Sequence, residues 1–141
     1  MKSSAFIAAS AAVILVLGFV HLVYTFRGPN LHPRDADLMA RMKADSLVIS
    51  RETTMWQTWI GFNATHSFGL ILFGAVYGYL AIRQSALLFD SWFLLALGCA
   101  VLIGYAVIAK LYFFSLPFYG VVSATALYVI GIVVNMAQSK R

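Results

Sequence analysis

Charge is scarce in this chain. Only 11% of its 141 residues are Asp, Glu, Lys or Arg, where a soluble domain carries roughly a quarter. A chain this poor in charge has little to show water outside short segments, which excludes an ordinary soluble globule. Its length allows one domain. Cysteine is almost missing as well. Cys99 stands alone in "LALGCAVLIG", so no intrachain disulfide can form, and a lone cysteine in an apolar run reads as a packing residue. Cysteine usage therefore says nothing about redox compartment. No Gly-rich phosphate loop, Cys-x-x-Cys pair, His-x-x-x-His helix or G-x-S-x-G elbow occurs, which removes the usual signatures of nucleotide, metal and hydrolase chemistry. The net charge of +5 is spread over loops and termini. That spread excludes a nucleic-acid patch and fits anchoring at lipid headgroups.

What the chain has in quantity is apolar sequence. Hydrophobic residues make up 62% and the mean hydropathy is +0.86. About 20 predominantly apolar residues span a bilayer as a helix, and four stretches reach that length, near 4–26, 55–82, 87–109 and 116–136. None alternates with the period of two that barrel strands require, so helices are expected. The fold class is all-α: a four-helix transmembrane bundle forming one integral membrane domain over residues 1–141. The first run has one Lys ahead of it and resembles a secretory signal. No small-x-small cleavage site follows, and the run continues through His21 to Phe26, so it reads as a retained helix. "RQSA" reads as a tight turn between spans two and three. "KLYFFSLP" reads as a short link, with Lys110 free to snorkel and Pro117 in a first helical turn.

The polar stretch between spans one and two begins with the breaker-rich "RGPN" and "HPRD". Beyond Pro33, Leu38, Met42 and Ile49 recur at intervals of four and seven, interrupted by Ser46. This predicts an amphipathic helix within residues 34–54, lying at the interface or running on into span two. Its mixed charges suit a solvated face better than a lipid clamp. Orientation is divided. The positive-inside count would place this loop in the cytoplasm, whereas the signal-like first span places the N-terminus there. We take both termini to be inside, with Lys2, Arg83, Lys140 and Arg141 on that side.

The unusual residues lie in "WQTWIGFNATHSFG". Read as a helix extended back to Glu52, this stretch places Glu52, Trp56, Trp59, Asn63 and His66 at intervals of four, three, four and three. They share one face, which Leu70, Phe73 and Tyr77 continue. Ionisable side chains inside a span are expensive and turn to a bundle interior or a wet cavity. One reading is structural, with Asn63 and His66 bonding a neighbouring helix for about 1 kcal/mol or less. Another makes the stripe a ligand site, since packing interfaces favour small residues over Asn, His and paired Trp. A catalytic reading gives His66 an acid–base role with Glu52 or His21 as second proton carrier.

Span one carries His21 on a face with Gly18 and Thr25, beside Tyr24 and near Arg27. If the two spans are antiparallel neighbours, His21 and His66 face each other, as two ligands of a metal or of a b-type haem would. Counting from the expected helix ends, however, offsets their depths by roughly 9 Å at 1.5 Å per residue. His32, beside Pro33, reads as an exposed loop histidine. Ala96, Ala100 and Gly104 form a small-xxx-small ladder on span three, as Gly74 and Gly78 do on span two; such ladders let helix backbones approach. Tyr105, Tyr112, Tyr119, Ser123 and Tyr128 are further possible cavity linings. "NAT" at Asn63 matches a glycosylation sequon but falls within a span. With no cluster of intramembrane charges, a monomer is not expected to pump or conduct ions.

"GFVHLVYTFRGP" and "TMWQTWIGFNATHSFG" resemble a group of small, uncharacterised four-helix bacterial integral membrane proteins. That group carries a histidine late in the first span and a Gly-Phe-Asn-x-Ser/Thr-His motif in the second. Here these are His21 and Gly61, Phe62, Asn63, Thr65 and His66. The resemblance implies location, the bacterial inner membrane, and no mechanism. The function expected from the residues is binding, through His66, Asn63, Trp59, Trp56, His21 and Glu52. The partner is a lipid-like or quinone-like molecule, or another membrane subunit, which a second copy of the chain could supply. A membrane enzyme and a haem or metal protein are the alternatives. No cofactor is specified.

Overall fold

The computed structural model describes residues 2–139; Lys140 and Arg141, counted above for orientation, lie outside them. Among the described residues the chain is all-helical, with no strand. Six helices occur in order: α1 (Lys2–Phe26), α2 (Ala36–Ala44), α3 (Met55–Arg83), α4 (Ser85–Asp90), α5 (Trp92–Tyr112) and α6 (Ser115–Ser139). Four of them, α1, α3, α5 and α6, are long and apolar enough to cross a membrane. Their limits lie within a few residues of expectation except at the start of α5. There Ser91 breaks the chain and caps the new helix, its Oγ accepting from Leu94 N–H at 3.3 Å. The turn expected at 83–86 is the break at Gln84, the short helix α4 follows it, and the third long helix begins at 92 rather than 87. Lys110 lies inside the last turn of α5, its Nζ 5.1 Å from the Phe118 ring centroid. Pro117 stands in the first turn of α6, where its missing N–H costs nothing.

Contacts divide the chain into two units. One takes in the chain up to Leu17 and from Leu70 onward, and the other is Gly18–Gly69. The first holds the apolar core, where Ile7, Ile14, Leu88, Leu102 and Tyr128 are fully buried. Two tyrosines organise it. Tyr77 donates to the Leu94 carbonyl at 2.8 Å, and the Tyr128 hydroxyl lies 3.4 Å from the carbonyls of Leu94 and Leu95. Their rings meet edge to face at 5.7 Å. Tyr128 is therefore a buried packing residue. Ser10 Oγ is the one fully buried side-chain nitrogen or oxygen without a partner among the described residues.

Close approach in this unit runs through one of the two expected ladders. A methyl group at Gly74 would sit 2.7 Å from the Ala11 carbonyl oxygen and from Leu15 Cβ, as that ladder predicts. On α5 the expected ladder faces outward. Ala96 and Ala100 are exposed, and nothing lies within 4 Å of a methyl built on Gly104. Gly98 makes the approach instead: a methyl there would overlap the Tyr128 hydroxyl. The ladder spacing is real, but Leu95, Gly98 and Leu102 turn α5 so that the adjacent face is inward.

The second unit contains the end of α1, the polar connection and the start of α3. Gly28, at φ +78° in "RGPN", turns the chain after α1 in the left-handed conformation glycine accepts most readily. Asp35 caps α2 by accepting from Asp37 N–H at 2.9 Å. The helix then covers nine residues, shorter than the span 34–54 allowed, and Ile49 falls beyond it at 91% exposure. What ends it is a closed loop. Met55 N–H donates to Asp45 C=O at 2.9 Å, and Ser46 bridges to Thr54. What starts α3 is a reciprocal cap. Gln57 N–H donates to Thr54 Oγ1 at 3.2 Å and Thr54 N–H to Gln57 Oε1 at 3.0 Å, a Thr-x-x-Gln capping box.

Gly98→Ala should lower the stability of detergent-solubilised protein by about 1–3 kcal/mol, the usual cost of overpacking. Gly104→Ala should leave the unfolding midpoint nearly unchanged. Equal effects at the two positions would contradict the facing of α5.

Candidate functional site

The site expected from the sequence lies wholly within the second unit. It begins with an amide. Asn63 Nδ2 donates to the Trp59 carbonyl, one turn back on α3, at 2.8 Å. That fixes which end of the amide is which, because only nitrogen can serve a carbonyl oxygen. Oδ1 therefore faces away from its own helix, and His21 Nε2 lies 3.0 Å from it. An acceptor oxygen needs a donor, so Nε2 of His21 carries the hydrogen. The backbone around the pair is tied as well. Thr25 Oγ1 donates to the His21 carbonyl at 2.8 Å, and Ser67 Oγ donates to the Asn63 carbonyl at 2.9 Å. Both hydroxyl residues are buried.

The second histidine joins at this level. The His21 and His66 rings stand 5.2 Å apart, centroid to centroid, at 80°. The 9 Å offset expected from the sequence is thus overturned. The reason is that the two helices do not end level. Five residues separate His21 from Phe26, the end of α1, and eight separate Asn63 from Met55, the start of α3. The first turn of α3 therefore runs past the end of α1, and the turn after Gly28 packs against it. Trp59 Nε1 donates to the Leu31 carbonyl at 3.1 Å, and His32 meets Trp56 edge to face at 5.0 Å.

Of the six expected site residues, His21, Asn63 and His66 form one contiguous group, with Trp59 joined to it through its carbonyl. Trp56 lies a turn further out against His32, a ring contact that a loop position beside proline does not suggest. Glu52 is not brought in. It is exposed, its N–H donates to Ser50 Oγ at 3.2 Å, and it precedes the helix whose periodicity placed it on the stripe. The Leu31 carbonyl escapes sequence reasoning because main-chain acceptors leave no mark in a sequence; only the turn-forming "RGPN" hints that the chain doubles back here.

Electrostatically the group is sparse. Among the described residues no three His, Cys, Asp or Glu side chains gather as a metal cluster would. Nor does the pair match axial ligation of a haem. Imidazoles collinear through one metal, with a metal–nitrogen bond of about 2.0 Å at each end, hold their centroids roughly 6 Å apart, whereas these stand 5.2 Å apart. The arrangement offers oriented hydrogen-bonding groups within an apolar helix pair.

No protein-family model, curated protein or solved structure matches this chain.

A double-mutant cycle with His21→Ala and Asn63→Ala tests the central bond. Thermodynamic coupling of about 0.5–1.5 kcal/mol is expected, the range of interhelical hydrogen bonds in membranes. Additive effects would show that the two side chains do not interact.

Proposed function

We propose that this chain is an integral membrane binding protein whose His21, Asn63 and His66 hold the polar end of an otherwise apolar molecule. In this reading α1, α3, α5 and α6 cross the bilayer as a bundle and α2 lies at the interface. The two motif resemblances point to the bacterial inner membrane. One observation carries the proposal: two imidazoles stand in ring contact inside long apolar helices, and one of them is held in a fixed orientation. Interhelical packing alone is served more cheaply by small residues. Polar groups placed in hydrocarbon must be matched, since an unmatched one costs roughly 2 kcal/mol or more. His21, Asn63 and His66 are all half-buried rather than sealed, which leaves an approach for a ligand's head. Trp59, 43% exposed, and Trp56 stand further out along α3, as an amphipathic rim suits.

The ring contact also favours a second reading, a membrane enzyme in which His66 acts as acid or base and His21 as the second proton carrier. Two oriented imidazoles at this distance suit a proton shuttle. It ranks below binding because Glu52, the expected acidic proton carrier, is exposed and precedes α3.

Native mass spectrometry of the protein extracted with its own lipids should show a retained small apolar molecule. His21→Ala and His66→Ala should each lose it while remaining folded. A wild-type protein without any adduct would refute the binding reading. An adduct unchanged in both variants would confine the group to packing, and a haem-sized adduct or a second polypeptide would replace the ligand proposed here.

A further inference from the structure

Away from the histidine group, the polar connection ends in an apolar loop tip. In "SLVIS", residues 46–50, Val48 is fully exposed and Ile49 is 91% exposed. The helix before them offers no cover, since α2 buries none of its own residues. Single exposed apolar side chains are ordinary. Two adjacent ones at the bend of a closed loop call for a reason. The closure also limits where they can be. Met55 N–H donates to the Asp45 carbonyl at 2.9 Å, and Ser46 bridges to Thr54. Both ends of the loop are thus rooted at the first residue of α3. Ile49 is three residues from Ser46, so at about 3.5 Å per extended residue it stays within roughly 10 Å of that root. Trp56 and Trp59 follow in the first turns of the same helix, and indoles on a spanning helix sit at the headgroup level. Granted that α3 crosses the bilayer, as the proposed function has it, the tip is held within reach of the boundary between lipid and water.

We infer that this tip is a shallow membrane anchor, with Val48 and Ile49 inserted among the acyl chains just below the headgroups. The inference rests on the spanning of α3 and not on the ligand of the histidine group. Lipid takes up apolar surface in proportion to its area, so each side chain gains by entering without a shaped partner. A polypeptide is the alternative cover. A stable protein interface, however, buries about 800 Å² on each side, well above what two aliphatic side chains present. Charge does not oppose insertion. No charged residue stands between Asp45 and Arg51, and the hydroxyls of Ser46 and Ser50 flank the tip at the depth where headgroups can bond them. Lys43 and Arg51, both exposed, can lay their stems along apolar surface and keep their charges among the phosphates. Asp45 and Glu52, exposed as well, stay on the water side.

Nitroxide labels on Val48→Cys, Ile49→Cys, Glu52→Cys and Phe68→Cys, each in a Cys99→Ala background, test the depth of the tip. The full chain would be placed in nanodiscs of phosphatidylcholine and phosphatidylglycerol. Collisions of each label with oxygen, which concentrates in lipid, are compared with collisions with a neutral nickel chelate, which stays in water. Phe68, 60% exposed and well inside α3, is the reference for acyl chains, and Glu52 is the reference for water. The oxygen-to-nickel ratios at 48 and 49 should lie near that at 68 and far above that at 52. Adding Ile49→Asp should return the label at 48 to the ratio found at 52. Labels at 48 and 49 as open to nickel as the one at 52 would overturn the anchor and leave the spanning of α3 standing. Labels shielded from both reagents would overturn it too, in favour of a polypeptide cover. A label at 48 that stays in lipid despite Ile49→Asp would show that something other than the tip holds the loop down. A label at 68 open to nickel would overturn the spanning of α3 and the anchor with it.

Discussion

The side-chain amide of Asn63 must satisfy a donor and an acceptor inside an apolar helix, and the way it does so constrains everything around it. Its nitrogen is taken by the carbonyl one turn back, so its oxygen has to find a partner on another segment. His21 is that partner. Once the bond is made, the register between α1 and α3 in this unit is set, and with it the level at which His66 meets His21. The bond is worth little by itself, about 1 kcal/mol in a membrane. Its influence lies in direction rather than strength. It specifies a depth and an amide orientation at once.

The polar connection depends on that register. Because α3 extends past the end of α1, its first turns need cover, and the Gly28 turn supplies it through the Leu31 carbonyl and the His32 ring. The Thr54–Gln57 cap fixes where α3 begins, and the Asp45–Met55 bond closes the loop before it. An amide, a capping box and a left-handed glycine thus set two indoles and the His66 imidazole of α3 against His21 of α1 and the chain that follows it. The core unit is built on another principle, with Tyr77 and Tyr128 spending their hydroxyls on α5 carbonyls and Gly98 making room for the second ring.

Much of this is legible in the residues. Long apolar runs mark helices long and apolar enough to cross a bilayer, and the apolar limits match those of α1 and α3 almost to the residue. The spacing of Trp59, Asn63 and His66 puts them on one face, and an antiparallel pairing of the first two spans makes His21 a candidate partner. Three expectations miss, and only one of them had its answer in the residues. Helix ends need not align across a hairpin, so counting inward from them misplaces His21 and His66 relative to each other. A helical spacing carried back to Glu52 ignores the capping box in "TTMWQ", which is readable and marks the helix as beginning later. A small-xxx-small pattern says that a helix can be approached, not from which side; on α5 that depends on Tyr128, a partner distant in sequence.

Whether His21 stands at the level of Asn63 is the point on which the site stands or falls. Paired cysteines at 21 and 63, placed in a Cys99→Ala background, would be treated in native membranes with a short bis-maleimide linker. Cysteines at 26 and 55 serve as the reference for helices that end level. The structure predicts rapid cross-linking of the 21–63 pair and slow or no cross-linking of the 26–55 pair. The reverse pattern would mean that the helices end level, that His21 does not reach Asn63, and that the histidine site does not exist as described.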